Sequence, residues 1–211
     1  KVPLINAKVK AQDGVVVYKS SIFPYDTVNF DLNANSSLLT TDLTANLKKD
    51  NGLLSVHADV ADPYNKKNLS GKVKLKELSL DLFTASTNSL NSLKGAVTGK
   101  MLIEGALDEP NVIVSGKSEK INYGELLVKK LVFDSNVNVA AGTVNLSVIS
   151  NTIRLAKDIK AYKKCSLDVE GTLEKHSLTL SCGSDSGSYL AANGGYNKKS
   201  KVYFGTVSNL I

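Results

Sequence analysis

The feature that most constrains this chain is an apolar/polar alternation with a period of two, which recurs from one end to the other. Between Thr27 and Asn35, Val28, Phe30, Leu32 and Ala34 fall on one side of an extended chain, while Thr27, Asn29, Asp31 and Asn33 fall on the other. The same phase appears in Leu54, Val56, Ala58 and Val60, in Val137 and Val139, and in Val144, Leu146 and Val148. A helix would scatter these residues around its circumference, so the pattern predicts strands with one apolar and one wet face.

Turn chemistry falls between the runs. Asp13-Gly14 and Asp50-Asn51-Gly52 predict hairpin turns, and Asp108-Glu109-Pro110-Asn111 predicts a turn in which Pro110 is closed to ladder pairing. Short strands joined by tight turns imply an antiparallel meander. Three stretches break the pattern. Glu77 to Leu93 reads as a strand followed by a short helix or loop, Asn151 to Tyr162 is similarly open, and Ala61 to Ser70, with Pro63, is the best candidate for a long loop. None makes a convincing domain boundary, so residues 1–211 read as a single β-rich segment.

Composition says what fills that sheet and what it does not bind. The chain has no Trp, one Met, five Phe and eight Tyr, so an apolar interior is built mainly from Val, Leu, Ile and Ala. A net charge of +6 raises the question of a nucleic-acid or anionic-membrane partner. The lysine pairs (Lys48-Lys49, Lys66-Lys67, Lys129-Lys130, Lys163-Lys164, Lys198-Lys199) are spread along the chain and form no basic stripe with interleaved aromatics. They read as solvated loop ends and strand-edge protection, and a nucleic-acid partner is not expected. No run approaches the roughly 18 apolar residues that span a bilayer, and Lys1-Val2-Pro3 is not a signal peptide. The expectation is a piece of a longer protein whose targeting and anchoring signals lie outside it.

Cys165 and Cys182 flank a readable hairpin. Cys165, Leu167, Val169 and Gly171 alternate with polar residues, and after a turn near Leu173 to Lys175 so do Leu178, Leu180 and Cys182. Centring the hairpin between Leu173 and Glu174 makes partner numbers sum to 347, which pairs Val169 with Leu178, Leu167 with Leu180 and Cys165 with Cys182. A cross-strand disulfide is possible at a non-hydrogen-bonded pair, where Cα atoms lie about 4.5 Å apart. Such a bond implies an oxidising compartment such as the periplasm; two buried free thiols are the alternative.

Catalytic chemistry finds no candidates. His57 lies on the polar parity of its run and His176 beside a turn, away from both cysteines. No CxxC, HExxH, GxSxG or P-loop pattern occurs, and Gly183 to Gly187 and Gly194-Gly195 read as turns or bulges. No catalytic residue, metal site or cofactor is expected.

The passage from Ser70 to Leu80, then Leu93-Lys94-Gly95-Ala96-Val97-Thr98-Gly99-Lys100-Met101-Leu102-Ile103-Glu104-Gly105-Ala106-Leu107-Asp108-Glu109-Pro110, resembles the TamB family of translocation and assembly module subunits. So do the turn Ile121-Asn122-Tyr123-Gly124-Glu125-Leu126, the pair Leu167 to Leu173 and His176 to Leu180, and the closing Tyr203 to Leu210. The resemblance is strongest over 69–211. It implies the C-terminal β-rich periplasmic portion of a protein anchored in the inner membrane of a Gram-negative bacterium. The implied partner is TamA, an outer-membrane barrel of the Omp85 type. The family and its AsmA-like relatives imply roles in outer-membrane protein and autotransporter assembly and in phospholipid traffic between membranes. The implied fold is all-β: an elongated, curved, mostly antiparallel U-shaped sheet, or β-taco, with an apolar concave face.

An apolar face that nothing covers must close on itself or hold something. The candidate groove comprises Val28, Phe30, Leu32 and Val56, then Met101, Ile103, Val112, Val114, Val128 and Phe133. Val144, Leu146, Leu167, Val169, Leu178 and Leu180 complete it. Each of these also reads as ordinary core, so the groove rests on the lack of covering elements. Its expected occupants are phospholipid acyl chains; the alternatives are a platform that holds nascent outer-membrane protein strands at a sheet edge, or a passive spacer or passenger domain with a closed core.

Overall fold

The alternation becomes thirteen strands in a computed structural model, which describes residues 4–18, 21–48, 52–63, 65, 67–82, 93–172, 174–183, 188–197 and 199–208. In chain order these are β1 (Ile5–Tyr18), β2 (Ser21–Ala34), β3 (Leu38–Leu47), β4 (Leu53–Ala61), β5 (Asn68–Ser79), β6 (Leu93–Ala106) and β7 (Glu109–Tyr123). They continue with β8 (Leu126–Asn138), β9 (Thr143–Arg154), β10 (Tyr162–Thr172), β11 (His176–Gly183), β12 (Ser188–Asn197) and β13 (Val202–Ser208). Spatial order equals chain order, every neighbouring pair is antiparallel, and β1 and β13 are the free edges of one open sheet. This is the meander that the tight turns predict, because consecutive strands joined by short links pair with each other first.

Several links differ from the sequence expectation. Asp13-Gly14 is not a turn: β1 runs through it, with Gln12 opposite Thr27 and Gly14 opposite Tyr25. Asp13 takes φ 51° there, so the left-handed preference of the pair makes a kink inside a strand instead of a reversal. Pro110 is inside β7 opposite Gly105, and the reversal is the two-residue Leu107-Asp108. Ala61 to Ser70 is a short link, since Asn68, Leu69 and Ser70 pair with Ala61, Val60 and Asp59. Gly194-Gly195 lies mid-strand opposite Gly205 and Phe204, where a side chain at Gly195 would strike the main chain of Glu174. Ser79 is followed by a single 3₁₀ turn at Leu80–Leu82, and the rest of the Glu77 to Leu93 stretch lies outside the described residues up to Leu93 itself. Asn151 to Arg154 completes β9. Asp50 and Asn51 lie outside the described residues, but the strands they join pair up to Asn46 opposite Leu53.

Irregularities fall in a line across the strands. Asp13 (φ 51°), the register shift between Tyr25 and Thr27, Glu77 (φ 52°) and Gly95 (φ 136°) mark its first half. Lys130 (φ 50°) and Lys164 (φ 50°) mark the second, both beside Asn151 through the pairs Leu131–Ser150 and Ser150–Cys165. Two lysines of the dispersed pairs therefore sit at mid-strand irregularities, not at turns. A bulge bends its strand and sharpens the local twist, so a line of them creases the whole sheet.

Burial is sparse and lies mostly along that crease. Among the described residues the buried apolar side chains are Ala45, Leu78 and Cys165, and the buried polar ones are Ser118 and Ser150, 4% and 1% exposed. Bending frees carbonyls from the ladder, and the serines answer them. Ser118 Oγ donates to the Ala96 carbonyl at 2.6 Å, and Ser150 Oγ donates to the Lys129 carbonyl at 2.9 Å. The accessible surface is 13851 Å², against roughly 9,500 Å² for a compact monomer of about this mass. The chain folds as a sheet with a crease, not around a closed core.

Candidate functional site

Cross-strand partners share a face, so the registers show which side chains form one surface. One row runs Val9, Phe30, Leu43, Val56, Val73, Met101, Val114 from β1 to β7. Its neighbour continues through β8 to β11 as Phe133, Val148, Leu167, Leu180. Parallel rows contain Val28, Ile103 with Val112, Val144, and Leu146 with Val169 and Leu178. Leu32 stands opposite Ala7 on the same parity.

Fifteen of the sixteen candidate residues therefore belong to one apolar face, and each is half-buried. Val128 does not join their rows. It lies beyond the Lys130 irregularity, opposite Ile121 and Ile153, and an odd five residues from Phe133, so strict alternation along β8 already sets the two on opposite parities. The face also includes Leu43, Val73 and Leu75, which the sequence reading left out and which the alternation through Val56 and Leu54 would have found.

Space on this face is set by glycine as well as by bulk. Gly99 and Gly116 face each other, and Gly116 faces Phe133. A Cβ at Gly116 would lie 2.5 Å from the Phe133 ring, so the ring lies over the glycine and covers main chain that no side chain shields.

At the crease end of the same face, Cys165 and Cys182 are register partners joined by a disulfide, with Cα atoms 4.0 Å apart. The predicted hairpin register holds throughout, with Leu167 opposite Leu180 and Val169 opposite Leu178.

The opposite face is polar. His57 bridges two strands there: its Nδ1 lies 2.7 Å from Asp42 and its Nε2 3.1 Å from Asp59. Hydrogen bonding to Asp42, then to Asp59, raises the imidazole above its ordinary value. Hydrogen bonding from Thr40 holds Asp59 below the usual carboxylate range. His57 and the two carboxylates are substantially exposed, so this is a surface ion cluster. His176 opens β11, its Nδ1 3.2 Å from the Thr172 carbonyl. Among the described residues no group of three or more His, Cys, Asp or Glu is placed to hold a metal ion, and no helix is long and apolar enough to cross a membrane.

These features define a class: an open antiparallel meander with an apolar face on one side and a polar face on the other. The model of the N-terminal domain of TamB matches residues 1–106 and 83–211, which together span the chain. The chain is also 25% identical over 185 residues to the translocation and assembly module subunit TamB of Haemophilus influenzae, a match covering 85% of this chain and 13% of that protein. No solved structure matches. The chain belongs to the TamB family. The matching model is that of the N-terminal domain, not the C-terminal portion that the sequence reading named, and it includes the first 68 residues, where that reading found the resemblance weaker.

Proposed function

We propose that this segment is part of a periplasmic translocation and assembly subunit whose apolar face shelters lipid acyl chains. The observation that carries the reading is one apolar face continued strand after strand with its residues left half-buried. A face of that extent attracts apolar partners. Burying a dozen methylenes there would gain on the order of 10 kcal/mol at about 0.8 kcal/mol each. A continuous face lets a chain slide without leaving its apolar surroundings. Within a protein anchored in the inner membrane and meeting a TamA-like barrel of the Omp85 type, such a path would serve phospholipid transport to the outer membrane and the assembly of outer-membrane proteins and autotransporters.

The edges favour a second reading. β13 exposes Val202, Tyr203, Phe204 and Val207, and β1 exposes Val15, Val16 and Val17. Free edges of this kind accept an added strand, as a holder of nascent barrel strands would require.

Photo-crosslinkers at Leu146, on the apolar face, and at Asn145, on the polar face, separate the two. Phospholipid crosslinked at Leu146 and not at Asn145, with lipid co-purifying in native mass spectrometry, is expected. A lipid-free protein silent at both sites, but binding peptides of alternating pattern, would replace the groove with the strand-holding reading.

A further inference from the structure

The sheet gathers on its polar face lysines that are scattered in sequence. Lys72, Lys74 and Lys76 alternate along β5, Lys100 stands directly opposite Lys74 on β6, and Lys117 follows on β7 opposite Thr98. All five are exposed, and none is in ion-pair reach of a carboxylate among the described residues. β5, β6 and β7 are interior strands, so edge protection does not account for them.

Two lysines directly opposite each other, their Cβ atoms about 5 Å apart, repel. Lys74, Lys76, Lys100 and Lys117 rim an open cleft of about 700 Å³, and between them lie the half-buried hydroxyls of Thr44, Ser55, Thr98 and Ser115. Asp134 is the one carboxylate lining that cleft. Leu53 and Val132 also line the cleft; ammonium groups around hydroxyl donors fit an oxyanion with several acceptor oxygens.

We propose that this cleft binds phosphate groups. Its charged rim lies on the polar face and is carried by central strands of the sheet. Its ligand is a phosphate carried by an anionic phospholipid headgroup or by a soluble molecule.

The test uses the purified 211-residue chain. Pyrophosphate is titrated by calorimetry, and co-sedimentation is measured with phosphatidylcholine vesicles with and without 30% phosphatidylglycerol. Polyglutamate is the control for charge alone. Lys74→Gln with Lys100→Gln should weaken binding about tenfold or more. Lys8→Gln with Lys10→Gln, which removes the same charge from β1 on the same face, should change it less than twofold. Binding to phosphatidylglycerol vesicles without pyrophosphate binding assigns the headgroup as source, and pyrophosphate binding assigns a soluble ligand. No binding, polyglutamate binding as tight as phosphate, equal capture by neutral vesicles, or equal losses in the two variants overturns the site. Circular dichroism of each variant confirms that the sheet is intact.

Discussion

The antiparallel pairs β3–β4 and β10–β11 are cross-linked on opposite faces by different chemistry. β10–β11 is tied on the apolar face by the Cys165–Cys182 disulfide, whose Cys165 is 2% exposed. β3–β4 is tied on the polar face by His57, whose side chain is 45% exposed between Asp42 and Asp59. A covalent link restricts the unfolded chain and is indifferent to salt and pH. An ion cluster in water gives back most of its Coulomb gain to solvation and screening. The difference teaches where an open sheet puts its strong fastening: at the crease, where burial is available.

The largest expected effect breaks the advantage of β10–β11. Cys165→Ala with Cys182→Ala closes no 17-residue loop and should cost about 3 kcal/mol in urea denaturation. Wild-type protein in reductant should fall to the same midpoint. A loss under about 0.5 kcal/mol would mean that the β9–β10–β11 ladder alone holds the hairpin.

Smaller, and next to the disulfide, is Ser150→Ala. Ser150 pairs with Cys165, accepts from the Thr152 amide and donates to the Lys129 carbonyl. Removing the hydroxyl takes a partner from both part-buried groups and should cost about 1 kcal/mol. An unchanged midpoint would show that the crease is hydrated.

Smallest is the pH dependence of β3–β4. The raised value of His57 contributes stability fully present below its unfolded value of 6.5 and lost as pH rises through the folded value. The lowered value of Asp59 contributes stability present above 3.8 and lost as pH falls through its folded value. The cluster is therefore most stabilising between those limits. Exposure limits the change to about 0.5 kcal/mol or less. Comparing urea midpoints at acidic and alkaline pH in wild type and His57→Gln isolates it, and a pH response that survives the substitution would assign the effect elsewhere.

How much was legible depends on how local each cause is. The pairing of Cys165 with Cys182 followed from alternation, because side-chain direction and hairpin register are set within a few residues. The same logic placed fifteen groove candidates on one face. Val128 stands an odd five residues from Phe133, so alternation by itself sets the two on opposite parities, and the Lys130 irregularity at φ 50° lies between them. The sequence reading misplaced Asp13-Gly14 and Pro110 because turn residues tolerate bulges and strand starts as well as reversals.

Sequence alone determined that this chain makes strands, that they form a meander, and which side chains share a face. Period-two alternation is a property of each strand, and a short link leaves the next strand little choice of partner. Tertiary structure decided the rest. Only the registers of successive strands align single irregular residues into a crease, bury Ser118 and Ser150 along it, and bring Lys74 opposite Lys100. Those relations hold between residues that are neighbours across hydrogen bonds and distant along the chain, so no local pattern encodes them.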